Sequence, residues 1–205
     1  MLNVPLLPHT LEDMSTARTH FREALSLLSN LIEDEAFISS VDSASKALSS
    51  CLQSGGKILS CGNGGSMSDA MHFAEELSGK FREDRPAYAA IALSSPAHIT
   101  CVANDYGFDK IFSRGIEALG CQGDVLLAIS TSGNSSNVLE AARAAKSKGM
   151  TVLGLTGGDG GELSSLSDYE IRIPWDGYSD RVQEMHIKCI HAMIDSIERS
   201  FISFS

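Results

Sequence analysis

Basic charge is scarce in this chain. Of its 205 residues, 16 are Lys or Arg against 26 Asp or Glu, which gives a net charge of −10 and a pI near 5.0. That balance disfavours nonspecific attraction to nucleic acid or to an anionic membrane surface, so any anionic ligand must be caught locally by dipoles and hydroxyls. Cysteines are scattered singly at 51, 61, 101, 121 and 189; an odd number without paired metal spacing suits a reducing cytoplasm. No uninterrupted apolar run reaches about eighteen residues. The opening segment MLNVPLLPHT lacks a basic region and a long apolar core, so neither export nor membrane insertion is expected. A low-complexity linker and a DNA-binding segment are also missing.

Two nucleotide-binding signatures fail at defined positions. In Gly62-Asn63-Gly64 the third glycine of G-x-G-x-x-G falls on Met67, and the next strand ends in Leu93-Ser94-Ser95 with no acid for a ribose. Gly56-Lys57 is followed by Ile58, with no glycine at the position a Walker loop requires. A dinucleotide cofactor and nucleotide hydrolysis are therefore not expected.

What the chain does contain is a pair of Ser/Gly-rich turns, each fed by a strand and opening a helix. Lys57–Gly62 runs into Asn63-Gly64-Gly65-Ser66, and Asp124–Ile129 into Ser130-Thr131-Ser132-Gly133-Asn134-Ser135. Small residues let backbone N–H groups approach an oxyanion, hydroxyls add donors, and the helix that follows presents the positive end of its dipole. One Ser or Thr suffices to cap a helix. The hydroxyls of Ser130, Thr131, Ser132 and Ser135 exceed that need and point to a phosphate.

Thr10 to about Gln53 reads as two amphipathic helices, with Leu11, Met14, Phe21, Leu28, Leu31, Phe37, Val41, Leu48 and Leu52 at core spacing and Thr10–Asp13 resembling a capping box. Strands are expected at Lys57–Cys61, Tyr88–Leu93, Val125–Ile129, Thr151–Thr156 and Tyr169–Ile173, alternating with helices. Ser179–Phe201 reads as one long helix whose core face carries Val182, Met185, Cys189, Met193 and Ile197 and whose other face holds Gln183, His186 and His191. The fold expected is α/β: a three-layer αβα sandwich around a five-stranded parallel sheet, with an N-terminal helical pair (10–54 helices, 55–205 sandwich) in one domain spanning 1–205. Both turns then lie at the carboxyl edge of the sheet, where such folds bind ligands.

Titratable chemistry follows the first turn closely. His72 and Glu76 stand four residues apart, on one helix face, and imidazole with carboxylate is a competent ligand pair for zinc or another divalent ion. Gln183 and His191, eight positions apart, are separated by about 80° and roughly 12 Å on a straight helix. Either that helix is irregular or the two side chains serve sites completed by different copies of the chain. His186 competes for a role, with a surface or interface histidine as the plain alternative.

The segments CGNGGSMSDAMHFAEELSGKF, CVANDYGFDKIFSR, GDVLLAISTSGNSSNV and DRVQEMHIKCIH, in this order and spacing, resemble the phosphoheptose isomerases of the sugar isomerase (SIS) domain superfamily, over nearly the whole chain. Met67 stands where some members carry His, and Lys80 where some carry Arg. The resemblance implies a homotetramer with active sites between subunits. It implies conversion of sedoheptulose 7-phosphate to D-glycero-D-manno-heptose 7-phosphate for lipopolysaccharide core biosynthesis. It also implies one Zn²⁺ per subunit on His72, Glu76, Gln183 and His191, with Glu76 and His191 as base and acid. Substrate contacts are implied at Asn63, Gly64, Gly65, Ser66, Glu76, Asn104, Asp105, Ser130, Thr131, Ser132, Ser135 and Gln183. Close relatives of another kind, the DnaA initiator-associating adaptors, lack the Glu and His matched by Glu76 and His191, and a sugar-phosphate sensing module is a second rival.

Overall fold

The central strands Ile58–Gly62, Val125–Ser130 and Thr151–Gly157 are mostly apolar and buried almost throughout, because both of their faces are covered, whereas the edge strands Ala90–Ala92 and Tyr169–Ile173 are partly exposed. The structure, a computed structural model, describes residues 15–202. In chain order the elements are α1 (Thr16–Glu33), α2 (Glu35–Gln53), β1 (Ile58–Gly62), α3 (Gly65–Ser78), β2 (Ala90–Ala92), α4 (Pro96–Tyr106) and α5 (Ser113–Leu119). They continue with β3 (Val125–Ser130), α6 (Ser136–Ser147), β4 (Thr151–Gly157), α7 (Gly161–Leu166), β5 (Tyr169–Ile173) and α8 (Ser179–Ile202). Among the described residues no helix is long and apolar enough to cross a membrane.

The sheet has the order β2-β1-β3-β4-β5, every pair parallel, with Gly62 beside Ile129 and Ser130 beside Thr156. Successive strand residues point to opposite faces. Ile58, Val125, Leu127, Ile129, Leu153 and Ile171 pack with α1, α2, α3 and α8. Leu59, Leu126, Ala128 and Val152 pack with α4, α5, α6 and α7. The N-terminal pair thus shares the sheet's core through Leu27, Leu31, Ala44 and Leu48. Arg181, 2% exposed, ties α8 to α1 through Glu23 (3.2 Å) and His20 Nδ1 (2.8 Å), and pairs with Glu184 on its own helix. Asp34 ends α1 and caps α2, accepting from the N–H groups of Ala36 and Phe37 at 2.9 and 3.1 Å, worth about 1 kcal/mol.

Several expectations are corrected in detail. β1 starts at Ile58 rather than Lys57, because the Lys57 N–H donates to buried Asp124 Oδ1 at 3.0 Å while its ammonium meets Oδ2 at 2.5 Å. β2 is shorter than Tyr88–Leu93: the Tyr88 N–H turns away to Leu77 O, and its ring stacks on Phe201. Phe21, placed at core spacing, is 77% exposed. His186 is not a surface histidine; it is wholly buried and its Nε2 lies 2.9 Å from Thr156 O. The capping box at Thr10–Asp13, with Leu11 and Met14, lies outside the described residues.

Candidate active site

The order β2-β1-β3 means that the chain leaves β1 toward one side and returns on the other, so the crevice above β1 and β3 is the switch point of the sheet. Both Ser/Gly turns open there. In the first, Gly64 stands at the helix N-cap and offers no side-chain acceptor, which leaves the leading N–H groups of α3 for a ligand. Gly65 is needed for close approach: a Cβ there would lie 2.6 Å from Gln183 Oε1.

The second turn is built from hydroxyls. Ser135 is the N-cap of α6, yet its side chain does not cap; it receives the Ser130 hydroxyl at 3.0 Å. Ser132 Oγ accepts from the Asn134 N–H at 3.2 Å, so its own hydrogen is left to donate. Gly133 has φ +65°, and any Cβ would run into the Gly160 carbonyl, so only glycine fits. The amino end of α6 is therefore free of a side-chain cap and flanked by the turn's hydroxyls, an arrangement that favours phosphate, while Ser136 on the same first turn donates to Asp109 Oδ1 at 2.5 Å. A cleft of ≈ 410 Å³ adjoins it, walled by Thr131, Ser132, Asp159, Trp175 and Val182. A larger hollow of ≈ 540 Å³ lies at the opposite edge, under Val125, Thr151 and Tyr169, and no carboxylate or imidazole lines it.

Further down α3 and α8 three titratable side chains meet. His72 Nε2 and His191 Nε2 are 3.0 Å apart, and Glu76 Oε1 is 3.4 Å from His72 Nε2. Donor atoms of all three lie within 4.8 Å of one another. Glu75 Oε1 lies 3.4 Å from His72 Nδ1, the ring nitrogen that does not meet His191. Phe81 stacks on His191, ring centroids 5.7 Å apart. Burial first, then the neighbouring His72, push His191 below the ordinary imidazole value. Two imidazoles and a carboxylate converging on one point fit a divalent cation, with room for a fourth ligand.

Residues 19–157 match the SIS domain family. The chain is 55% identical over 182 residues to the phosphoheptose isomerase of Pectobacterium atrosepticum, covering 89% of this chain and 94% of that one. The solved phosphoheptose isomerase of Neisseria gonorrhoeae superposes with a TM-score of 0.83 at 41% identity, over 89% of this chain and 97% of that one. That of Francisella tularensis gives 0.83 at 39%, over 89% and 96%. The chain belongs to the phosphoheptose isomerase family of SIS domains.

Set against the family's expected residues, the structure gathers His72, Glu76 and His191 but seats Gln183 elsewhere. The Gln183 amide lies over Gly65 at the amino end of α3, roughly 10 Å along that helix from His72. α8 is one continuous helix, so the irregularity considered above does not bring Gln183 to His191. Asn63 and the hydroxyl turn are neighbours. Asn104 and Asp105 are exposed at the end of α4 and hydrogen-bond each other at 2.6 Å; among the described residues neither bonds to either turn.

Sequence reasoning missed two polar residues. Asn137, buried in the first turn of α6, exchanges two hydrogen bonds with Asn63, each 2.8 Å. Its signal was a polar residue in register with Ala141 and Ala145 on a face that packs inward. Asp69 lies one turn before His72; burial pushes its carboxyl up to about 6, and Oδ2 has no partner among the described residues. The i, i+3, i+7 spacing of 69, 72 and 76 was the clue there.

Proposed function

We propose that the protein interconverts sedoheptulose 7-phosphate and D-glycero-D-manno-heptose 7-phosphate, an aldose–ketose isomerisation in the heptose branch of lipopolysaccharide core biosynthesis, in the cytoplasm. One observation carries this reading: an uncapped hydroxyl turn stands at the sheet's switch point, with an imidazole and carboxylate cluster further down α3, the helix that leaves the neighbouring glycine turn, and on α8, which packs against it. From Gly65 to His72 along α3, and from Gln183 to His191 along α8, the separation is roughly 10–12 Å. In this reading an extended seven-carbon sugar phosphate lies along these helices, its phosphate in the adjacent hydroxyl turn and its carbonyl end at the cluster.

Isomerisation moves a proton between C1 and C2 through an enediol, and so needs a base, a proton relay on the oxygens and stabilisation of the developing oxyanion. Glu76 takes and returns the carbon-bound proton, and His191, whose pKa is lowered by burial and then by the neighbouring His72, relays the oxygen-bound one. Ser130, Thr131, Ser132 and Ser135 hold the phosphate, whose binding free energy is spent on orientation. His72, Glu76 and His191 would hold a zinc ion, which when bound supplies polarisation of the carbonyl. Asn104, Asp105 and Gln183 are kept as substrate contacts, and Gln183 as the fourth zinc ligand when an active site is completed by another copy.

The assembly is a homotetramer in this reading. Phe21, Leu25 and Ile32 expose an apolar stripe on α1, and Met71, beside His72, is 48% exposed; other copies would cover them. Incubation with sedoheptulose 7-phosphate tests the function directly. The wild type yields the aldoheptose, and Glu76→Gln, with fold and metal content intact, yields it at least about a hundredfold more slowly. Binding of a replication initiator with no isomerase activity in the wild type would establish the adaptor instead.

A further inference from the structure

Asn137 occupies a position where a helix packed on a sheet ordinarily places an apolar side chain, since Ala141 and Ala145 follow it on the same inward face and both are fully buried. Its amide is 2% exposed and its partner comes from the other turn. Asn63 Nδ2 donates to Asn137 Oδ1, and Asn137 Nδ2 donates to Asn63 Oδ1, each at 2.8 Å. An amide has two N–H donors and two lone pairs, so this exchange leaves one of each on both residues. Only Asn63 is partly exposed, so its second N–H is the one within reach of a ligand.

Reciprocity also fixes which way the Asn63 amide faces. Turning one amide over sets donor against donor and acceptor against acceptor, so the two must turn together or not at all. Asn137 lies two residues after Ser135 on α6, and Asn63 directly follows Gly62, the strand partner of Ile129. The pair is thus a clamp between the hydroxyl turn that takes the phosphate and the glycine turn that leads toward His72 and Glu76.

We infer that Asn137 is a positioning residue: through Asn63 it holds the two turns in register, so that a polyhydroxylated phosphate anchored at Ser130–Ser135 presents its far end correctly to Glu76 and His191. This rests on the reading of the site as a sugar-phosphate isomerase. The test is a double-mutant cycle of Asn63→Ala, Asn137→Ala and the pair, measured on the intact protein by turnover of sedoheptulose 7-phosphate and by calorimetric affinity for it, with inorganic phosphate as competitive inhibitor.

Asn137→Ala should lower kcat/KM about tenfold or more. The double variant should be no worse than Asn63→Ala, within about twofold, because Asn137 acts through Asn63. Inhibition by inorganic phosphate should stay at its wild-type strength, since the hydroxyl turn keeps its own donors. Additive losses in the double variant, or an Asn137→Ala enzyme within about twofold of wild type, overturn the inference. Should Asn137→Ala not fold, Asn137→Ser, which keeps a donor, replaces it in the cycle; failure of both to fold makes the pair structural and overturns the inference as well. A wild type that binds the sugar phosphate without converting it strikes the isomerase reading alone, and the same cycle in affinities then decides the role of Asn137.

Discussion

The two ends of the site are made of different materials. The hydroxyl turn is one contiguous stretch, Ser130 to Ser135, that carries no titratable side chain and gathers its donors from hydroxyls and the open end of α6. The cluster at the other end joins His72 and His191 across 119 residues of sequence, and each of its members is of a type that can act as an acid, a base or a metal ligand. Binding a phosphate needs a rigid shape with donors already aimed. Moving a proton needs groups whose ionisation responds to their surroundings, and these are assembled only by tertiary packing of α3 against α8. Affinity and chemistry are therefore separable here by mutation.

The largest expected effect breaks the comparison, because it shows a titratable group hidden under the binding end. His186 bonds to Thr156 O, and Thr156 is the strand neighbour of Ser130. Burial pushes His186 down from the ordinary 6.5 to about 4. Between those values the unfolded chain binds a proton that the folded chain does not, so stability is complete above about pH 6.5 and drains away as the pH falls toward 4. The loss is on the order of 3 kcal/mol by the lower limit. Urea midpoints measured from pH 7.5 to 4.5 should decline more steeply in the wild type than in His186→Asn; parallel curves would remove His186 as the cause.

His191→Asn sharpens the contrast from the other side. By the proposed mechanism it removes a proton relay and one of three converging donors, so turnover should fall at least about a hundredfold, with bound metal falling in parallel by elemental analysis. Competitive inhibition by inorganic phosphate should be unchanged, because no atom of the hydroxyl turn has moved. A phosphate site weakened to the same degree as turnover would mean that the two ends are one unit.

The same contrast explains what was legible in the sequence. Strands β3 and β5 and helix α8 fall within a residue of their expected bounds, because burial on both faces in β3, alternation of exposed and buried residues in β5, and one long amphipathic period in α8 each leave a strong local pattern. The hydroxyl turn was legible for the same reason: excess hydroxyls between a strand and a helix are a local signal. The meeting of His72 with His191 left no local trace, and only the likeness to a family anticipated it. Phe21 shows the opposite failure, since helical spacing marks an apolar face without telling whether its own core or another copy covers it. His186 and Asn137 were obscured because a polar residue on a helix reads as solvated until its neighbours are known, and both are buried against particular partners.

Ser132→Ala is the smallest of these changes and the most direct probe of the binding end. Ser132 accepts locally from the Asn134 N–H, and in the proposed reading its remaining hydrogen donates to the phosphate. Losing one hydrogen bond to a charged group costs about 1.5–3 kcal/mol, so KM should rise roughly tenfold or more if the contact is fully made. Because the phosphate is distant from the reacting carbons, ground state and transition state lose the contact alike, and kcat should stay within about twofold of the wild type. Steady-state kinetics separate the outcomes. A fall in kcat with KM unchanged would place Ser132 in the chemistry rather than in the grip on the phosphate, and the division of labour between the two ends would have to be redrawn.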